Sequence, residues 1–277
     1  MAFSPSSRNP IPAEPQDEPP ELSTVIPRPL DPASFLSIMA DILRLPDETI
    51  ALSFLYLNRY KRFYNDPDQH DVLDAYQAVK TLSLAALSLA SKSTEAPRRL
   101  RELLLAAWRL LQSSSPRTQP LTFPSALYDS LRSSLVQAEL ILLRALKFEL
   151  RIPLPLEFLP RYMDRTIGDV NAGRGDWRGT EDYEAMDKES REEYKIVDLM
   201  NTNIGNACRV QVIDACKNYQ LANFFPARAV AAACLYRALQ AHRLIGPNNV
   251  TKWLEEVTSG RVDRADFDDI LAELANV

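Results

Sequence analysis

A chain of 277 residues, 46% hydrophobic and 25% charged, has the composition of an ordinary globular protein and is long enough for one large domain or two of usual size. Its formal net charge of -5 and pI near 5.3 exclude a surface built to neutralise a run of phosphates, so direct binding of DNA or RNA is not expected. No apolar run approaches eighteen residues and no basic segment leads into an apolar one, so neither membrane anchoring nor export is expected.

Residues 1–32 hold nine of the twenty prolines. Proline lacks the backbone donor that helices and central strands need, so this stretch reads as a disordered arm. From Pro32 onward the apolar spacing is helical, and no glycine occurs before Gly168. Spacing and breakers predict helices over 33–44, 47–64, 70–92, 96–113 and 126–148. Asp47 after Pro46 suits a helix start, and Pro97 suits the first turn of the fourth helix. The Ser/Pro/Thr-rich stretch 113–124 reads as a loop. Ser4-Pro5 in the arm and Ser115-Pro116 in this loop are minimal sites for a proline-directed kinase.

Arg151-Ile152-Pro153-Leu154-Pro155 is extended, because each residue before a proline is pushed away from helical angles. It divides the chain into a first unit, 33–150, and a second, 153–277. The second is expected to carry helices over 155–165, 188–219, 226–243, 248–257 and 263–275, with a loop insertion near 166–187. Five helices followed by five suggest duplication. The stretches 78–89 and 228–239 are apolar around most of their circumference, which places each at the middle of its unit.

Little of this sequence carries chemistry. Gly168 to Arg174 has the glycine spacing of a phosphate loop, but Arg stands for Lys, Gly175 for Ser or Thr, and a helix precedes it where a strand is needed. The two histidines, His70 and His242, belong to no metal or catalytic cluster and read as surface residues. Cys208, Cys216 and Cys234 form no CxxC pair and read as reduced thiols. Adjacent acids such as Asp268-Asp269 and Glu192-Glu193 diverge on a helix and read as solvated faces. No catalytic residue, cofactor site, metal site or small-molecule ligand is expected, and the chain does not read as an enzyme.

One carboxylate stands apart. Leu131, Leu135, Glu139, Leu142 and Leu146 follow one stripe of a helix, and Glu139 interrupts it. A carboxylate among leucines must find a donor or carry a desolvation penalty of roughly several kcal/mol. Leu82, Ala85, Ala86 and Leu89 lead in the same way to Lys92 at the next turn. From the pattern alone, the two charges either pair with each other in a core or both reach solvent.

The spelling around each adds a further alternative. Leu89-Ala90-Ser91-Lys92-Ser93-Thr94-Glu95-Ala96-Pro97-Arg98-Arg99-Leu100 resembles the cyclin-box motif L-A-x-K-x-E-E-x-P-R-x-L, and Glu139 to Leu150 is similar to the acidic start and apolar end of that box's fifth helix. Pro153 to Met163 resembles the entry to a second box. Phe224 to Gln240 is similar to the second box's central helix, and the spelling lies nearest to transcription-type cyclins, cyclin Q first and then K, L and T. The resemblance implies an all-α fold of two tandem five-helix boxes and a regulatory subunit, located in the nucleus with the cytoplasm as a second site, that binds and activates a cyclin-dependent kinase as a heterodimer. A TFIIB-like scaffold without a kinase is the alternative. Kinase contact falls by resemblance to Lys92 and Glu139, standing side by side at one end of the first box, ringed by Leu89, Leu143, Phe148 and Leu150. Two departures stand out: Ser93-Thr94 replaces an acidic residue after the Lys, and helix 33–44 lacks the M-R-A-I-L docking motif of cell-cycle cyclins.

Overall fold

The computed structural model describes residues 31–64, 75–112, 120–171, 199–245 and 250–275. Among these, every regular element is a helix. The arm over 1–32 lies outside them except for its last two residues, as do Ser115, His70 and most of the loop near 166–187.

Helix α1 (Pro32–Leu43) begins where Asp31 accepts hydrogen bonds from the amides of Ala33 and Ser34, at 3.1 Å each, with Pro32 in the first turn. It ends on Arg44, whose φ of 50° lets Leu45 N–H reach back to the Ala40 carbonyl. Helix α2 (Asp47–Tyr64) opens with Asp47 and Glu48 and closes with Lys61 and Arg62, a charge order that suits the helix dipole. Most of its length is buried, because α3 (Ala75–Ser93) covers one side and α7 (Asn203–Lys217) the other. Helix α3 is sealed from Leu82 to Ser91 and packs on α1, α2 and α5 (Ala126–Ala145), the central position its composition implied.

Helix α4 (Leu100–Gln112) starts later than position 96. Glu95 adopts a φ of 57° and Ala96 N–H bonds back to Ser91 O at 2.9 Å, which closes α3, and Pro97 then holds the connector extended. Arg98 spans the gap by donating to the carbonyls of Leu43 and Arg44 at the end of α1. Helix α5 stops at Ala145 and not at 148, because Lys147 and Phe148 turn left-handed.

After the extended connector, a 3-10 turn at Pro155–Phe158 leads into α6 (Leu159–Asn171), so Gly168 to Asn171 sit within a helix and the motif from Ala172 onward lies outside the described residues. The single helix expected over 188–219 is, where described, a 3-10 turn at Leu199–Asn201, then α7, then α8 (Tyr219–Phe224). Asn218 makes the break: its side chain accepts from the amides of Gln220 and Leu221 and caps a new helix. Gly205 lets α7 lie against the preceding turn, since a Cβ there would meet Leu199 O at 2.4 Å. Helix α9 (Ala227–Ala241) is enclosed by α7, α6 and α11 (Arg264–Ala275), with α10 (Val250–Thr258) against α6.

The buried apolar residues form one connected cluster from Phe35 to Leu274. Polar bonds join the two halves along α2. Asn58 donates to Cys216 O at 2.8 Å, Arg62 to Asn223 O at 3.0 Å, and Asn223 back to Asn58 O at 3.2 Å. Buried amides and carbonyls paired this way fix the register of the two halves as well as their contact.

Candidate functional site

Helices α3 and α5 lie side by side, and their two anomalous charges meet. Lys92 Nζ donates to both carboxylate oxygens of Glu139, at 2.9 Å each. The Glu139 side chain is 11% exposed and that of Lys92 46%, so the carboxylate is recessed between the helices and the ammonium forms its outer cover. Of the two pattern-based alternatives the structure takes pairing, but at a solvent-facing edge. The carboxylate gains two charge-assisted bonds against its desolvation, and the ammonium keeps much of its hydration.

Thr94, which follows where the family spelling has an acid, has a local task. Its hydroxyl lies 2.6 Å from that of Thr49 and donates to Ala90 O at 3.0 Å, fastening the end of α3 to α2.

The four apolar residues expected around the pair divide. Leu89 is 4% exposed, so it is a core residue that supports this surface from beneath; it falls within the sealed stretch of α3, where every side of the helix is covered. Leu143 and Leu150 are partly buried. Phe148 is 65% exposed, at the end of a strained segment where Lys147 has φ 52° and Phe148 φ 61°. Non-glycine residues hold such angles at a cost on the order of 1–3 kcal/mol each, so other bonds must impose them. Phe148 N–H bonds to Leu143 O at 2.8 Å, Tyr56 Oη donates to Leu150 O at 2.7 Å, and Arg59 pairs with Glu149 at 3.6 Å. The segment is thereby held over α2 with the Phe148 ring directed into solvent.

Two residues that the sequence reading passed over extend this surface. Val136 and Leu140 are exposed large apolar side chains on α5, one turn apart and adjoining Glu139. The available signal was apolar residues at i and i+4 beside a buried stripe that already had its own leucines. The result is a helix edge carrying Val136 and Leu140 beside a recessed ion pair, with Phe148 exposed on the turn that follows the helix. Beside it, a cleft of about 630 Å³ separates the 145–149 turn and α2 from the second half, with Arg59, Lys147, Glu149 and Phe225 among its walls.

This arrangement suits binding. Burial pushes the Cys208 and Cys216 thiols up to about 12, and Cys234 higher still, so none is a ready nucleophile. His242 is exposed at the C-terminus of α9. Among the described residues no three His, Cys, Asp or Glu side chains gather as a metal site, and no helix is long and apolar enough to cross a membrane.

Residues 32–151 match the family model described as cyclin, N-terminal domain. No curated protein matches the chain. Among solved structures, the fold is similar to a chain in the crystal structure of the yeast RNA Pol II CTD kinase CTDK-1 complex, with a TM-score of 0.58 and 15% sequence identity. That likeness covers 89% of this chain and 64% of the other, so the present chain spans less than two thirds of its neighbour. At this identity the likeness establishes the fold alone, which is all-α, and the cyclin N-terminal model matches over 32–151.

Proposed function

We propose that this chain is a cyclin, the regulatory subunit that binds and activates a cyclin-dependent protein kinase, and that its kinase belongs to the transcription-linked group. The observation that carries the reading is the Lys92–Glu139 pair set among exposed apolar side chains on the domain that matches the cyclin N-terminal model.

The chemistry of activation fits a surface of this kind. A kinase is active when its β3 lysine and αC glutamate are paired and its activation loop is placed. A rigid partner that binds the inward αC helix better than the outward one shifts that equilibrium by its differential affinity alone. Lys92 supplies ammonium donors and Glu139 carboxylate acceptors. Each can exchange part of the bond it makes to the other for a backbone carbonyl or amide of the kinase, while Val136, Leu140, Leu143 and Phe148 bury apolar area against the helix. The second helical unit, over 153–277, acts as the other cyclin box. The catalytic groups are the kinase's own.

The likeness of 153–163 and 224–240 to transcription-type cyclins supports the finer assignment, and with it a nuclear location. Purified chain mixed with a panel of cyclin-dependent kinases is expected to form a heterodimer with at least one transcription-linked member and to raise its phosphorylation rate. Absence of a complex with every member of the panel sinks the proposal. A TFIIB-like scaffold would instead shift duplex DNA at moderate salt.

A further inference from the structure

A second charged site lies on the far side of the extended connector. Helix α6 presents Arg161 and Arg165 one turn apart, the start of α9 presents Arg228, and the turn after α10 presents Arg261. These four side chains line one cleft of about 280 Å³. They come from three separate stretches of chain, and among the described residues no carboxylate lines the cleft. Among the described residues none of the four makes a salt bridge, although Arg59, Arg209 and Arg264 elsewhere all do.

The cleft is built, not merely basic. Arg165 is fixed by donating to Val257 O at 2.8 Å and to the Ser259 hydroxyl at 2.6 Å, which also satisfies the end of α10. Ser259 and Gly260 turn left-handed, at φ 56° and 67°, and this carries Arg261 back across the opening toward α6. Helix α9 starts at the cleft with Pro226 as its cap residue and no side-chain cap, so the positive end of its dipole faces the same space. Tyr162 forms the floor. Burial pushes its hydroxyl up, while Arg228, Arg161, Arg165 and Arg261 all pull it down, which places four guanidinium charges around one ring.

Guanidinium groups gathered in this way repel one another, and among the described residues none has an anionic partner. The charge they lack is concentrated, because four cations exceed what one carboxylate can balance, and planar forks suit the tetrahedral oxygens of a phosphate. A concave site of this size takes one phosphoryl group and its near neighbours, and it excludes a flat bilayer or the repeated phosphates of a duplex. The net charge of -5 over the whole chain further disfavours nucleic acid. Phe158 and the prolines at 153 and 226 supply an apolar rim for the residues flanking a phosphorylated side chain.

We propose that the cleft bounded by Arg161, Arg165, Arg228 and Arg261 is a docking site for a phosphoserine- or phosphothreonine-bearing segment of a partner protein. It shares no residue with the Lys92–Glu139 surface and binds whether or not a kinase is present.

The test uses the full chain alone, passed over beads carrying a degenerate phosphoserine peptide library and over the same library with unmodified serine. Retention is expected to be roughly tenfold greater on the phosphorylated beads, as suits several charge-assisted bonds. It should be displaced by inorganic phosphate at tens of millimolar and abolished in the R161A/R228A/R261A variant, whose far-UV circular dichroism should match the wild type. A single R228Q variant, weakened severalfold, answers the same question if the triple variant misfolds. Equal retention on both libraries overturns the proposal, as does retention that survives R228Q and the triple substitution. Capture of duplex DNA or phosphatidylserine vesicles through these arginines, without capture of phosphopeptides, overturns it as well.

Discussion

The two charged surfaces of this chain are built in opposite ways. At Lys92 and Glu139 a recessed carboxylate already holds its ammonium with two 2.9 Å bonds. At the cleft of Arg161, Arg165, Arg228 and Arg261, four cations converge, and among the described residues Arg165 alone is tied down, by a carbonyl and a hydroxyl rather than by a charge. A partner at the first site must displace part of an existing ion pair, so its electrostatic gain is a difference and the surface serves orientation and specificity. A partner at the second meets unspent charge. The first site is therefore part of the fold as well as the proposed contact surface, whereas at the second Arg165 serves the fold and Arg161, Arg228 and Arg261 are expected to be dispensable to it.

Substitutions can break or sharpen that contrast. The largest effect belongs to the leucines that hold Glu139 in place: Leu135→Ala or Leu142→Ala removes a fully buried side chain on its stripe and is expected to cost about 2–5 kcal/mol in chemical denaturation. Lys92→Ala should cost on the order of 1 kcal/mol. The ammonium is half exposed and screened, but its loss leaves the recessed carboxylate without its donor. If Lys92→Ala is neutral, the pair is no part of the fold. The buried thiols set a control of similar size. Their pKa is raised on folding, so their contribution is complete below the ordinary thiol pKa of about 8.5 and is lost as pH climbs toward about 12. A Cys208→Ala/Cys216→Ala variant should lose less stability between pH 8 and pH 10 than the parent, by about 1 kcal/mol or more. The smallest effect is at the arginine cleft, where Arg161→Ala, Arg228→Ala and Arg261→Ala should each stay within about 0.5 kcal/mol of wild type. A large loss at any of them would mean that the cleft is structural after all.

The sequence was most legible where local chemistry set the outcome. Asp31-Pro32 and Pro46-Asp47 mark the starts of α1 and α2 to within a residue, and the apolar runs of α3 and α9 announced two buried central helices. It was least legible where tertiary contacts overrode it. Nothing in Lys147-Phe148 signals two left-handed residues, because bonds from α2 through Tyr56 and Arg59 hold that turn. Asn218 did carry a signal as a helix cap, lost inside a long periodic stretch. Lys92 and Glu139 stood out because each broke an apolar stripe, whereas Leu89 beside them was part of a stripe and went to the core. The arginine cleft had one local trace, Arg161 and Arg165 at i and i+4. Arg228 and Arg261 join them only through the packing of α9 and α10 against α6.

The central claim, that the Lys92–Glu139 pair is a kinase contact and not only a core ion pair, is tested most directly by replacing both charges with apolar residues of similar length. A K92M/E139L variant removes the pair without leaving an unpaired charge, so its stability should equal or exceed that of the parent. Its affinity for the activated kinase, measured by titration calorimetry, should fall by about 2–5 kcal/mol, roughly thirtyfold to several thousandfold. A folded variant that binds the kinase as tightly as the parent would contradict the account.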